Sequence, residues 1–278
     1  MELKKFDSKI ELVNDGRLSL FFTGAGSAFT NQYFQTNLLV VKGNTHILID
    51  CGTICPFIFS FKYHTKISSI KNILLTHPHA DHIGGVEEVA FISRYSSKEK
   101  VNIVITDEFK KLLWNESLKG GLQYSEDGVL GFDDYFNQIK PKVYKKRPFP
   151  MYEIQMGELN IKLFRTMHVT SKPNSYKKAQ ISYGMIFDDK ILFTADTQFK
   201  PEQLEWILDN FDIEAIFHDC DVRGKSQRVH ASYEQLKTLD PAIKQKMFLC
   251  HYDSASKQVD PATDGFRAFV QLGQYYIF

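Results

Sequence analysis

Short apolar runs alternate with polar punctuation along the chain, and most are of strand length rather than helix length. Leu18-Ser-Leu-Phe-Phe22 leads into Thr23-Gly-Ala-Gly-Ser27. Asn37-Leu-Leu-Val-Val-Lys42 and His46-Ile-Leu-Ile-Asp50 read as a hairpin turning at Gly43-Asn44. Ile73-Leu-Leu75 reads as a buried strand that stops at Thr76-His77. After Gly84-Gly85 the pattern predicts a helix over 86–95, a strand over 101–106 and a helix over 107–114 with Asp107 as its N-cap.

Residues 117–150 break this rhythm. They carry Gly120-Gly121, Gly128 and Gly131, the aromatics Tyr124, Phe132, Tyr135 and Phe136, and a basic cluster from Lys140 to Arg147 closed by Pro148 and Pro150. An inserted loop or lid is expected there. Strands are then predicted over 159–166, 181–187 and 190–195, followed by a helix from Pro201, a strand over 213–217, a helix over 232–239 and a strand over 247–250. Strands followed by helices, twice over, predict two packed sheets with helices outside, in a single domain over 1–278.

Composition narrows the function classes. Of 278 residues, 43% are hydrophobic and 24% charged, which excludes a disordered chain. The net charge of +1 is too small for a dedicated duplex binder, so a phosphate-bearing partner must be held locally. Stable nucleic-acid binding is not expected. The four cysteines form no C-x-x-C pair and are expected to be free thiols in a reducing compartment. No apolar run is long enough to span a bilayer, and no signal peptide is seen, so a cytoplasmic protein without a membrane partner is expected.

The chemistry is concentrated in Thr76-His77-Pro78-His79-Ala80-Asp81-His82, an H-x-H-x-D-H string directly after an apolar strand. An isolated histidine is usually a core or surface residue, but three imidazoles and a carboxylate in six positions make a metal-ligand set. His77 and His79 can face one ion, and Asp81 and His82 a neighbour. His168, Asp196 and His251 each follow an apolar strand in the second half. Together these residues suffice for two metals, with one carboxylate bridging.

This arrangement resembles the metallo-β-lactamase-fold hydrolases, from about Leu18 to Tyr252. The resemblance implies an α/β fold of the αββα sandwich type. It implies one metal on His77, His79 and His168, a second on Asp81, His82 and His251, and Asp196 between them. It also implies two Zn²⁺ ions, with Mn²⁺ accepted by the same donors, and a buried aspartate behind the metal loop, matched by Asp50. Within that superfamily, Thr23-Gly-Ala-Gly-Ser-Ala28 resembles the glycine-rich turn of the RNase Z branch. Phe217-His218-Asp219-Cys220 and His230-Ala231-Ser232 stand where that branch carries its acidic and histidine motifs. His230 would then protonate the leaving oxygen, with Asp219 orienting it, and the catalytic set would be Asp81, Asp219 and His230. A phosphodiester needs such an acid, whereas a β-lactam or thioester does not.

Two departures argue against tRNA 3′ processing, the alternative function. No Arg-Tyr follows His251, where the chain reads Tyr252-Asp253-Ser254, and no long basic arm is evident. The combination is most similar to the phage anti-Pycsar phosphodiesterases. That resemblance implies hydrolysis of 3′,5′-cyclic mononucleotides to 5′-monophosphates and a homodimer with a loop near the partner's site, here 117–150. Tyr124 or Phe132 would be the aromatic that stacks on a base. Lys172, Lys177 and Lys178 are expected to face solvent.

Overall fold

The longest apolar runs become strands buried on both faces, as parallel and central strands require. The computed structural model describes residues 1–172, 175–223 and 229–278. In chain order the strands are β1 (Glu2–Lys5), β2 (Ser19–Gly24), β3 (Asn37–Lys42), β4 (Thr45–Ile49), β5 (Asn72–Leu74), β6 (Val101–Val104), β7 (Tyr124–Ser125), β8 (Gly128–Val129) and β9 (Phe136–Ile139). They continue as β10 (Lys142–Lys145), β11 (Met151–Met156), β12 (Leu159–Arg165), β13 (Tyr183–Phe187), β14 (Ile191–Phe193), β15 (Ala215–Asp219), β16 (Met247–Cys250), β17 (Ala268–Phe269) and β18 (Gln274–Ile277).

The chain divides into two compact units. The first comprises Met1–Gly24, Gln35–Pro141 and Leu272–Phe278 and holds a sheet of order β1-β18-β2-β3-β4-β5-β6-β9. Its first four pairings are antiparallel and its last three parallel. Gly43, at φ 56°, makes the tight turn between β3 and β4 that the sequence predicts. Leu20, Phe21, Phe22, Leu38, Leu39, Val40 and Ile47 are among its fully buried side chains.

The second unit comprises Ala25–Phe34 and Lys142–Gln271 and holds β10 to β17 in chain order, antiparallel as far as β14 and parallel beyond. The register aligns Phe193 with Phe217 and Asp219 with Cys250, so β15 and β16 end side by side and β14 two residues before them. In open α/β sheets ligands bind outside such carboxyl ends.

Two details differ from expectation. The helix Asp107–Leu113 is capped by Thr106, whose hydroxyl accepts from the Phe109 amide at 3.3 Å, so Asp107 lies inside its first turn. Residues 117–150 are built into elements: the helix Lys119–Leu122, the β7–β8 hairpin, the helix Phe132–Tyr135 and the edge strands β9 and β10. Asp127 and Glu126 fasten the hairpin to Arg94 and Tyr95. All four cysteines are buried free thiols, and no helix of the described residues is long and apolar enough to cross a membrane.

Candidate active site

In the first unit the chain leaves β5 at Leu74 and turns at once into the His77–His82 segment. This turn is zipped to residues 50–52: the Cys51 amide donates to the His82 carbonyl at 2.8 Å, and the Gly85 amide to the Cys51 carbonyl at 2.9 Å. The contact is backbone on backbone. A Cβ at Gly52 would lie 2.1 Å from the Asp81 carbonyl oxygen, so only glycine fits there.

Asp50 sets the protonation of two imidazoles. It is buried, with φ 64°. Its Oδ1 accepts from the Thr76 amide at 2.7 Å, and its Oδ2 from the Thr76 hydroxyl at 2.8 Å and His82 Nδ1 at 2.6 Å. Burial pushes the Asp50 carboxyl above its usual range, while His82 and Thr76 pull it back. Because Thr76 gives its only hydroxyl proton to Asp50, the 2.9 Å contact with His77 Nδ1 requires that nitrogen to donate. His77 and His82 therefore both carry hydrogen on Nδ1 and a lone pair on Nε2. His77 Nε2 lies 3.0 Å from His79 Nδ1, and His82 Nε2 lies 3.3 Å from Asp81 Oδ2.

The second unit gathers His168, Asp196, Asp219, His230 and His251 at or beyond the ends of β12, β14, β15 and β16. His168 Nδ1 donates to the Val229 carbonyl at 2.7 Å, leaving the lone pair on Nε2, 3.8 Å from Asp196 Oδ2. His251 Nδ1 lies 3.3 Å from Asp196 Oδ1. Ala195 and His251 take left-handed conformations, with φ 49° and 61°. Outside glycine that region costs energy and clusters at functional positions. Asp196, Asp219, His230 and His251 offer ligand atoms within 4.8 Å of one another.

Asp219 and His230 form a pair inside this cluster. His230 Nδ1 donates to Asp219 Oδ2 at 2.8 Å, and the Thr197 amide donates to the same oxygen at 2.9 Å. Asp219 is fully buried, and its Oδ1 has no hydrogen-bond partner among the described residues. Burial alone would lower the His230 pKa, but the Asp219 carboxylate reverses this and lifts it to about 9. His230 is thus an imidazolium at neutral pH. His218, the motif neighbour of Asp219, is buried with Nδ1 turned to the Asp219 carbonyl at 2.7 Å.

The donor set fits a divalent cation. In each unit a lone-pair nitrogen faces a buried carboxylate oxygen: His82 Nε2 toward Asp81, and His168 Nε2 toward Asp196. Acceptor against acceptor in a low-dielectric site is repulsive unless a cation joins the two. Every ligand and catalytic residue named from the sequence falls in one of these two clusters. Sequence reasoning missed the Thr76 relay and the Thr197 amide on Asp219. The first had a signal, a hydroxyl directly before the first histidine, while the second had none.

Other expectations divide. Tyr124 is 74% exposed on the β7–β8 hairpin. Phe132 is only 4% exposed, packs against Phe136 and lies beneath the Lys110 ammonium, so it cannot stack on a base. Lys172, Lys177 and Lys178 face solvent.

Comparison with known proteins identifies the relatives. Residues 18–276 match the family model described as anti-Pycsar protein Apyc1. A curated anti-Pycsar protein Apyc1 of Paenibacillus sp. (strain J14) is 33% identical over 250 residues, covering 88% of this chain and 94% of that protein. One of Bacillus phage vB_BsuM-Goe3 is 33% identical over 241 residues, covering 84% and 88%. Among solved structures, the metallo-β-lactamase fold protein YhfI of Bacillus subtilis aligns with a TM-score of 0.65 at 13% identity, covering 94% of this chain and all of that one. With its motifs and its match agreeing over nearly its whole length, the chain belongs to the anti-Pycsar protein Apyc1 family and has the metallo-β-lactamase fold.

Proposed function

We propose that this protein is a metal-dependent phosphodiesterase that opens 3′,5′-cyclic mononucleotides to 5′-monophosphates and so counters cyclic-nucleotide signalling in antiphage defence. The single observation that carries the reading is the Asp219–His230 pair, an imidazolium 2.8 Å from a buried carboxylate within a cluster of metal donors. A thioester hydrolase, whose leaving thiolate departs unprotonated, would not require a proton donor there. A ribose oxygen, by contrast, is a poor leaving group and departs as an alcohol when protonated. The family name supports the same substrate class.

The residues proposed to hold two divalent ions, zinc by donor chemistry, are His77, His79, Asp81, His82, His168, Asp196 and His251. Held there, such ions would supply Lewis acidity toward phosphate oxygens and would lower the pKa of water toward about 7. The chain's own part is positional. Asp50 and Thr76 fix His77 and His82 with Nε2 as the donor atom, and Val229 does the same for His168. His230 stores the proton for the leaving oxygen on an imidazolium that Asp219 holds in one orientation.

The homodimer implied by the resemblance belongs to the same proposal. It is supported by Tyr124 and Val129, directly opposed on the hairpin and exposed to 74% and 67%. Light scattering tests it. The reaction is tested by turnover of cyclic CMP, UMP, AMP and GMP against a pre-tRNA with a 3′ trailer, with and without chelator. Chelator-sensitive opening of cyclic nucleotides with the pre-tRNA intact is the expected result. Trailer cleavage with cyclic nucleotides untouched would overturn the reading in favour of RNA processing.

A further inference from the structure

Arg223 stands two residues beyond Asp221 and is engaged on two sides. Its Nε donates to Asp221 Oδ1 at 3.0 Å and its Nη2 to Asp221 Oδ2 at 3.2 Å, a bidentate fork. Its backbone amide also donates to Asp221 Oδ1, at 3.0 Å. The same Nε lies 3.3 Å from Asp253 Oδ2. The Asp221 side chain is 4% exposed and that of Asp253 22%, so both carboxylates are largely withdrawn from water.

The two carboxylates belong to different straps of the site. The Asp221 backbone is sewn to the segment after His230: its amide donates to the Ala231 carbonyl at 2.8 Å, and its carbonyl accepts from the Tyr233 amide at 2.9 Å. Asp253 lies two residues beyond His251, and its Oδ1 accepts from the Ala255 amide at 2.9 Å, holding the turn that follows. His230 and His251 themselves sit with ring centroids 4.9 Å apart. One guanidinium thus joins the strap of the proposed acid to the strap of a proposed metal ligand. It also offsets two negative charges beside a site meant for an anionic phosphodiester. Burial would raise the Asp221 carboxyl, but Arg223 prevails and holds it below its usual range.

We infer that Arg223 is a positioning residue for the general acid: by bridging Asp221 and Asp253 it fixes where the His230 side chain stands. The inference rests on the acid role proposed for His230. No motif marks this arginine, and its bridge to Asp253 spans thirty positions.

The test uses the full chain with Arg223→Met and Arg223→Lys. Three readouts are taken: the downfield proton signal of the His230 Nδ1–H bond, assigned by its absence in His230→Ala, the metal content, and turnover of two substrates. Arg223→Met should shift or lose the proton signal and keep its metals. Its kcat on the cyclic nucleotide should fall about 10–100-fold with KM unchanged, the scale of a misplaced general acid. On bis-(p-nitrophenyl) phosphate, whose leaving group needs no proton, the loss should stay within about threefold. Arg223→Lys should recover part of the cyclic-nucleotide rate. An unchanged proton signal with unchanged relative rates would overturn the inference. Equal loss on both substrates together with metal loss would also overturn it, since that is a merely structural role. A rise in KM alone would show that Arg223 touches substrate instead. If the unaltered protein opens no cyclic nucleotide, the proposed function fails, and the proton signal still decides the role of Arg223.

Discussion

Replacing Asp50 with Asn removes an acceptor that holds one imidazole, His82, directly and a second, His77, through the Thr76 hydroxyl. The carboxylate accepts three hydrogen bonds, from the Thr76 amide, the Thr76 hydroxyl and His82 Nδ1. An amide has one carbonyl oxygen and would present N–H groups to the rest, so the orientation of both His77 and His82 is lost. Metal affinity should fall about 10–100-fold, read by competition with a chromogenic chelator. An affinity equal to that of the unaltered protein would deny Asp50 this role. Asp196→Ala and His230→Ala should separate cleanly. The first should lose bound metal and all turnover. The second should keep metal by elemental analysis and lose roughly 10²–10⁴-fold in rate, and full activity would exclude His230 as the acid. At this scale the sequence identifies the candidate donors because each follows an apolar strand, so a residue and its neighbours suffice to mark it. Thr76 and Arg223 escape notice because their meaning lies in what the fold brings back to them, Asp50 from 26 positions away and Asp253 from 30.

Strand ends make the site, and strand interiors keep those ends level. β12 and β13 show how closely. Phe164 and Gly184 are cross-strand partners, and a Cβ at Gly184 would lie 2.3 Å from the Phe164 ring. The ring is 2% exposed and packs against Phe149, so making room for a methyl group means displacing a buried aromatic. Gly184→Ala should cost about 1–3 kcal/mol in denaturant unfolding, with Phe164→Leu restoring part of it. A neutral substitution would show that the ring can swing away. The apolar elements were readable: β2 to β6, β12 to β16 and the helix Pro201–Asn210 all lie where their patterns predict them. β1, β9, β10, β11 and β18 were not, nor were the two-residue strands β7, β8 and β17. β1 is exposed throughout and β9 and β10 largely polar, so their pairing comes from neighbouring strands rather than from a pattern of their own. β18 is buried from Tyr275 to Ile277 in an apolar run, Tyr275-Tyr-Ile-Phe278, no shorter than the one that marks β5, so nothing in its pattern explains why it was missed.

The stability of the whole molecule should carry a pH signature from His46. Its Nδ1 donates to the Leu12 carbonyl at 3.2 Å, and its Nε2 accepts from the Lys71 amide at 3.2 Å, an arrangement only the neutral ring can make. Burial is the main reason its pKa lies below the ordinary 6.5. The unfolded chain therefore takes up the proton first. The contribution is complete above about pH 6.5 and is lost as the pH falls below it. The stability gap between the unaltered protein and His46→Gln should narrow from pH 7.5 to 5.5 in urea titrations, and parallel profiles would refute this.

β18 has a consequence for synthesis. It lies between β1 and β2, so the first sheet takes in a strand from residues 274–277 between two from the first 24. At about 5–20 residues per second, a ribosome that has finished β6 needs about ten to thirty seconds more to deliver β18. Through that interval β2, with Leu20, Phe21 and Phe22, stands as an open apolar edge. The second unit, whose strands follow one another in order, has no such wait. The nascent chain thus meets its greatest risk of misassociation in the unit that is translated first and closed last.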